Sequence, residues 1–249
     1  MGCKSIKRLI YLLACRPMNA KTAESHRPLR QDGEQSRERL LRVGLALFAQ
    51  KGFEKTSTRE IAEAAHTNIA AISYYFGDKA GLYRAVFFEP QGSPADDIAR
   101  FTNPTLSLEQ ALHALFAGFL EPLRRGDLAR QCMKLHAREM IEPTGLWDEE
   151  ISTSIRPMHD ALVAVLCRHF GLRSPDDDVH RLAVCIAGLG VHMHVGRDVV
   201  DVIAPMLHEG PSALDTWSDR LVMYAAAMVQ AEGQRRQAVA RPVRKVAQR

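Results

Sequence analysis

Between Ser57 and Phe76 the chain permits two short helices joined by a tight turn and little else. Ser57 is followed three residues later by Glu60, the capping-box spacing in which each side chain satisfies the other residue's free backbone amide. That starts a helix predicted over Thr58–Ala65. His66, Thr67 and Asn68 are poor helix formers, and Asn68 is a good N-cap, so a second helix is predicted from Ile69 to Phe76. Gly77 breaks it and Asp78 caps the next, from about Lys79 to Phe88. Upstream, Leu40, Leu41, Leu45, Leu47 and Phe48 recur at helical spacing between Arg37 and Gln50, with Gly52 placed to end that helix. Ile61, Ala62, Ala65, Ile69 and Ile72 are expected to face inward and lock the two short helices together.

This is the arrangement of a helix-turn-helix, whose second helix enters the major groove of DNA. The groove is about 12 Å wide, so the first turns of that helix must stay slim and polar. Ala70 and Ala71 keep them slim, and Asn68 and Ser73 carry groups that bond to bases or phosphates. Tyr74 and Tyr75 have two readings each, packing beneath the helix or reaching a phosphate. For Lys79 the alternatives are a solvated lysine and a phosphate partner. The second has a physical argument, since a cation beside a helix N-terminus is disfavoured unless an anion lies between them.

Charge is distributed in keeping with this. Over the whole 249 residues the formal charge is +4, but residues 1–90 carry +6, residues 91–229 carry −7 and residues 230–249 carry +5. A basic first third on an acidic body suits a polyanion-binding head whose body stays clear of the polyanion. With 46% hydrophobic residues the chain has enough apolar material for a core.

The remaining chain reads as helix throughout. Helical patterns run over Leu108–Arg125, Leu128–Ile141, Leu146–Phe170, Asp176–Val202 and Ser212–Gly233, with no strand alternation or hairpin signal. The stretch from Glu89 to Pro104, rich in Pro and Gly, reads as a connection. The expected architecture is therefore all-α, with an N-terminal three-helix DNA-binding domain and a larger C-terminal helical bundle. Its boundaries are a disordered or mis-started arm over 1–33, the head over 34–89, the body over 90–233 and a basic disordered tail over 234–249.

The segment MGCKSIKRLIYLLAC mixes basic residues with a Leu-Leu-Ala-Cys ending like a lipobox, but Leu9–Ala14 is shorter than the ~7–15 apolar residues of a signal-peptide core. Gly2 lacks the Ser/Thr that myristoylation wants at position 6, which is Ile6. No run reaches the ~20 apolar residues of a membrane span. Cys3, Cys15, Cys132, Cys167 and Cys185 have no metal-like spacing and read as buried free thiols in a reducing cytoplasm.

The run TSTREIAEAAHTNIAAISYYFGDKAGLYRAVF, extended back through RLLRVGLALFAQKGF, resembles the DNA-binding region of the TetR (AcrR-type) repressor family from Arg39 to Phe88. The resemblance implies phosphate contacts from Thr56, Ser57, Tyr74 and Lys79, and base reading by residues near Asn68, Ala70, Ala71 and Ser73. Two departures stand out: His66 occupies a turn position that is usually Gly, and Ser73 one that is often Tyr. The first bears on turn geometry, because a Gly turn often needs positive φ. The run KLHAREMIEPTG, Lys134 to Gly145, resembles the CecR-like subgroup, as does NIAAISYYFG.

The family also implies a body that pairs two subunits and holds a pocket for a small-molecule effector, with repression of a palindromic double-stranded DNA operator as its default action. Candidate ligand residues are His136, Arg138, Glu139 and His192. Arg138 and Glu139 share a helix with Leu135, Met140 and Ile141, so a surface pair and a partly buried polar network are both open. His192 and His194 lie about 200° apart around a helix, which argues against one metal ion between them. No metal or cofactor is expected, and no nucleophile elbow, P-loop, HExxH or dinucleotide loop points to an enzyme. The competing reading is a DNA-binding protein of the same fold with a nucleoid or division role.

Overall fold

The computed structural model describes residues 28–89, 94–124 and 126–246, and among them every regular element is helical. The readings on the lipobox-like start, on most of the 1–33 arm, on Cys3 and on Cys15 lie outside the described residues. The elements are α1 (Pro28–Lys55), α2 (Thr58–Ala64), α3 (Ala70–Phe76), α4 (Lys79–Phe88), α5 (Pro94–Thr102), α6 (Leu108–Arg124) and α7 (Asp127–Ile141). They continue with α8 (Leu146–Glu150), a π-turn (Ile151–Ile155), α9 (Arg156–Phe170), α10 (Asp177–Val195), α11 (Arg197–Ile203), a short 3₁₀ turn and α12 (Ala213–Val246).

The chain divides into two compact units. The first joins α1–α4 to α7 and the following segment to Asp148, and the second holds α5, α6 and everything from Glu149. This differs from the expected single boundary at residue 89. Leu135 of α7 is fully buried in one cluster with Leu40, Leu45, Phe48, Ile61, Ile72, Leu82 and Phe87. Periodicity identifies an apolar face but not the element that covers it.

Within the first unit, α1 starts nine residues before the expected Arg37 and is broken at Gly52, whose φ of 83° and ψ of 173° are not helical. A positive φ is cheap only for glycine, so Gly52 ends the straight part of the helix where its sequence position predicted. α4 has the expected bounds, with Asp78 Oδ1 accepting from the Gly81 amide at 2.8 Å.

The second unit buries Phe101, Leu112, Leu115, Phe116, Leu120, Leu162, Leu166, Ile186 and Val229 in one core. Three features depart from the sequence reading. The Pro-rich connection contains α5, which begins at Pro94, carries Asp96 and Asp97 in its first turn and buries Phe101; acidic residues and a leading proline both favour a helix start. The helix expected to run unbroken to Val202 bends by 70° between α10 and α11. At the bend, any Cβ on Gly196 would sit on the His192 ring. Finally, the basic segment from Gln234 continues α12 to Val246 and is not a disordered tail. Arg236 donates twice to Asp176 (2.8 and 2.7 Å), and Arg235 bonds Glu232 (2.8 Å) and Asp178 (2.5 Å). The Arg236 hydrogen bonds, first among the causes, and the backbone amide of Val179 hold the Asp176 carboxyl well below its usual range.

The π-turn between α8 and α9 closes with the Arg156 amide donating to the Ile151 carbonyl. Pro157 follows directly and has no N–H to offer the regular ladder, which accounts for the irregularity at this place.

Candidate nucleic-acid interface

α2 and α3 are held by the residues the spacing picked out, with one exception. Ile61, Ala62, Ala65 and Ile72 are all at most 3% exposed, but Ile69 is 50% exposed. Ile69 precedes the first residue of α3 and lies past the end of α2, so no neighbouring turn covers it. The exposed surface of α3 and its start is therefore Asn68, Ile69, Ala70, Ser73 and Tyr74, while Ala71 is half-buried against the core. Tyr74 is 82% exposed, and Tyr75 is half-buried beside it, their rings edge to face at 4.8 Å.

The turn is held by His66 in the left-handed region, φ 51°, the only non-glycine with positive φ among the described residues. The backbone that glycine makes easy is adopted here by an imidazole-bearing residue, at a steric cost of about 1–2 kcal/mol. Asn68 Oδ1 accepts from the Ala70 amide at 2.9 Å, but the helix begins at Ala70, one residue later than predicted, with Ile69 at its N-cap position.

Ser57 caps α2, accepting from the Glu60 amide at 3.0 Å. The reciprocal half of the capping box is diverted, because the Glu60 carboxylate pairs with Lys51. Ser57 is exposed, so its hydroxyl proton faces solvent beside a helix N-terminus, where an anion is favoured. Thr56 is different. It is 1% exposed and donates to the Gly52 carbonyl at 2.8 Å. A buried hydroxyl with that partner stabilises the α1 break and cannot reach a phosphate, so the expected contact from Thr56 is corrected to a structural role. Lys79 is the first residue of α4. Its ammonium lies 4.4 Å above the Phe53 ring and 3.4 Å from the Glu54 carbonyl, contacts that aim the cation without neutralising it.

Of the candidate ligand residues, three belong to the first unit and are bonded there. Glu139 is fully buried, and its carboxylate accepts from Tyr83 Oη (2.8 Å), the Thr144 amide (2.7 Å), Thr144 Oγ1 (2.9 Å) and the Leu146 amide (3.1 Å). Burial first, then the carboxylate, pushes the Tyr83 phenol well above its ordinary range, so it stays a donor. His136 stacks on Phe87 at 4.1 Å with Nδ1 2.7 Å from the Cys132 carbonyl, and burial lowers its pKa. Arg138 pairs with Glu142 at 3.1 Å and donates to the Gln50 carbonyl at 3.2 Å. The three tie α7 to α1 and α4, and the Glu139 oxygens are filled by the chain itself.

His192 lies in the second unit, exposed and packed on Gly196, and is not brought together with the other three. Of the pair His192 and His194 it is His194 that is half-buried, and the sequence reading chose the other because alternate helix positions give no sign of which faces in. Cys167 is buried, Cys132 half-buried and Cys185 exposed, so the expectation of three buried thiols fails at Cys185.

Comparison with known proteins gives the same division of labour. Residues 40–86 match the model of bacterial regulatory proteins, tetR family, and residues 108–232 match that of the HTH-type transcriptional dual regulator CecR, C-terminal domain. The chain is 26% identical over 200 residues to the HTH-type transcriptional dual regulator CecR of Shigella flexneri, covering 76% of this chain and 87% of that protein. It is 36% identical over 84 residues to the probable HTH-type transcriptional regulator YttP of Bacillus subtilis, covering 32% of this chain and 41% of that one. In fold it is similar to NalD, the secondary repressor of the MexAB-OprM multidrug efflux pump in Pseudomonas aeruginosa. That match has a TM-score of 0.57 at 18% identity over 80% of this chain and 97% of the other. A tetR-family transcriptional regulator from Streptomyces coelicolor gives 0.54 at 19% identity, over 86% and 89%. The chain belongs to the TetR family of bacterial transcriptional regulators and carries a C-terminal domain of the CecR type.

Proposed function

We propose that this chain acts in the cytoplasm as a homodimeric repressor that reads a palindromic operator with α3 and leaves it when a small molecule binds the body. The observation that carries DNA reading is the outward surface of Asn68, Ile69, Ala70, Ser73 and Tyr74, slim at its start and backed by the buried Ile72. Ile69 adds an exposed branched methyl group to the expected set, and such a group recognises the thymine methyl in the major groove. Ser57, Tyr74 and Lys79 supply phosphate contacts around it.

Dimerisation is supported by α10 and α12. Val184, Val191 and Val195 recur at helical spacing on α10 and are 61%, 43% and 54% exposed; Met223 and Tyr224 of α12 are 45% and 46% exposed. An apolar stripe of this kind on two neighbouring helices suits a second copy of the same surface, and two heads on one palindrome multiply recognition.

The test is binding to promoter fragments from the protein's own locus and across the genome. One or a few inverted repeats with affinity falling steeply with salt are expected. Many dispersed sites, indifferent to Ile69→Ala and Ser73→Ala, would instead indicate a nucleoid or division role. Lys79→Ala is expected to weaken binding to all sequences alike and to lower the salt slope by about one.

A further inference from the structure

The bend between α10 and α11 contains two buried polar atoms that find no hydrogen-bond partner in the rest of the molecule. His194 and Arg197 lie on either side of Gly196, three residues apart. His194 Nδ1 and Arg197 Nε are both shut off from solvent with no hydrogen-bond partner. The Arg197 side chain is 22% exposed, and its nearest carboxylate, Asp201, is 3.6 Å from Nε, beyond a hydrogen bond. The other Asp201 oxygen is held by His208 Nδ1 at 2.5 Å. A buried guanidinium N–H without an acceptor is unfavourable, so its persistence calls for an explanation.

Three further observations describe the place. The Phe119 ring of α6 stands beside the His194 ring, centroids 6.4 Å apart, giving an apolar wall. α11 follows the bend without burying any of its own residues, and Val199, Val202 and Ile203 are 60%, 81% and 72% exposed.

We infer that the α10–α11 elbow is a site for a small amphipathic carboxylate, held by Arg197 Nε–H and His194 Nδ1–H with its apolar body against Phe119 under α11. The inference rests on the effector reading above and names its ligand class. An anion is favoured over a neutral or cationic group because Arg197 is cationic and its Nε–H has no hydrogen-bond acceptor, the ion pair with Asp201 lying at 3.6 Å and the other Asp201 oxygen being held by His208. Burial, offset in part by the Phe119 backbone, lowers the His194 pKa, and Arg197 lowers it further. A carboxylate set between the two reverses that last effect, so binding takes up a proton on His194. Of the other ionisable groups on the packed helices, Glu121 pairs with Arg124, Arg124 with Asp215 at 2.5 Å, and His159 with His180 at 2.9 Å, while Glu109, His113, His192 and Asp219 are exposed to solvent. Asp198 is exposed on α11.

The experiment uses the full chain with 4-phenylbutyrate, straight-chain carboxylates of increasing length, and the matching amides and amines. Titration calorimetry at pH 8 and pH 6 and imidazole ¹⁵N shifts are the readouts. Expected are binding of carboxylates only, affinity rising several-fold from pH 8 to pH 6, and a ¹⁵N signature of His194 protonation on binding. Arg197→Gln is expected to weaken binding at least tenfold, and His194→Gln to remove the pH dependence. Both variants are expected to keep operator affinity without ligand. Carboxylate binding that ignores both substitutions, preference for the amine, or no carboxylate binding at all would overturn the site. If the acid binds at the elbow but the operator complex persists, the site stands and the effector reading falls. If other compounds release DNA equally from both variants, the effector reading stands and the elbow site falls.

Discussion

Tyr83→Phe is the most informative single change in the first unit, because it removes one atom from a closed set of bonds. Tyr83 is 2% exposed, and its ring packs edge-on to Phe48 and Phe53 with centroids at 4.9 and 5.0 Å. Phenylalanine keeps that packing and deletes only the 2.8 Å bond to Glu139. A hydrogen bond to a charged acceptor contributes about 1.5–3 kcal/mol, so a loss of about 2 kcal/mol is expected. For a chain of this size that is a fall in melting temperature of about 4–8 °C. Glu139→Gln keeps the oxygen that serves Thr144 and Leu146 and turns an NH₂ toward Tyr83, losing both the charge and the direction of that bond; about 2–4 kcal/mol is expected. Urea unfolding of the two single variants and the double variant gives the coupling directly. The double variant is expected to lose at least 1 kcal/mol less than the singles summed, as for residues sharing one bond. Additive losses, or a Tyr83→Phe effect under about 0.5 kcal/mol, would refute the role given to Glu139 as the internal tie between α4 and α7.

Three more outcomes are expected. His66→Gly relieves a left-handed residue by about 1–2 kcal/mol at an entropic cost of about 0.5–1, for a net gain of up to about 1.5 kcal/mol, whereas His66→Val loses stability; urea midpoints compare them. His136 and His194 both have lowered pKa values, so between their folded values and the unfolded ~6.5 the native state binds fewer protons than the unfolded one. Stability is therefore full above pH 6.5 and falls as pH drops below it, by up to ~1.4 kcal/mol per unit for each histidine. His136→Gln should make urea midpoints measured from pH 7.5 to 5.5 less steep. Val191→Glu places a charge on the exposed stripe of α10; sedimentation velocity is expected to show monomers, with operator affinity falling at least tenfold, and an unchanged dimer would move the interface elsewhere.

What the sequence made legible was local chemistry. Asp78 and Ser57 cap where their identities predict, and Ile61, Ala62, Ala65 and Ile72 face inward because helical spacing and adjacency decide that without further help. What stayed hidden depended on partners far along the chain. Thr56 reads as a surface threonine until the Gly52 carbonyl is seen beneath it, and Glu139 as one half of a surface pair until Tyr83, 56 residues away, is seen bonded to it. Arg235 and Arg236 read as a solvated tail because the acids that order them sit at the start of α10. Ile69 fits the inward spacing but lies where no second helix remains to cover it.

The placement of α7 among the first helices makes the DNA-reading part a discontinuous piece of chain. A fragment ending at residue 92 would lack Leu135 from the centre of its core and the Glu139 acceptor of the Tyr83 hydroxyl. The reading head is thus no portable module, to be excised or grafted by cutting the chain once. It is completed only after the chain has left for the second unit through α5 and α6 and come back, so the segment that finishes the head is synthesised after part of the body.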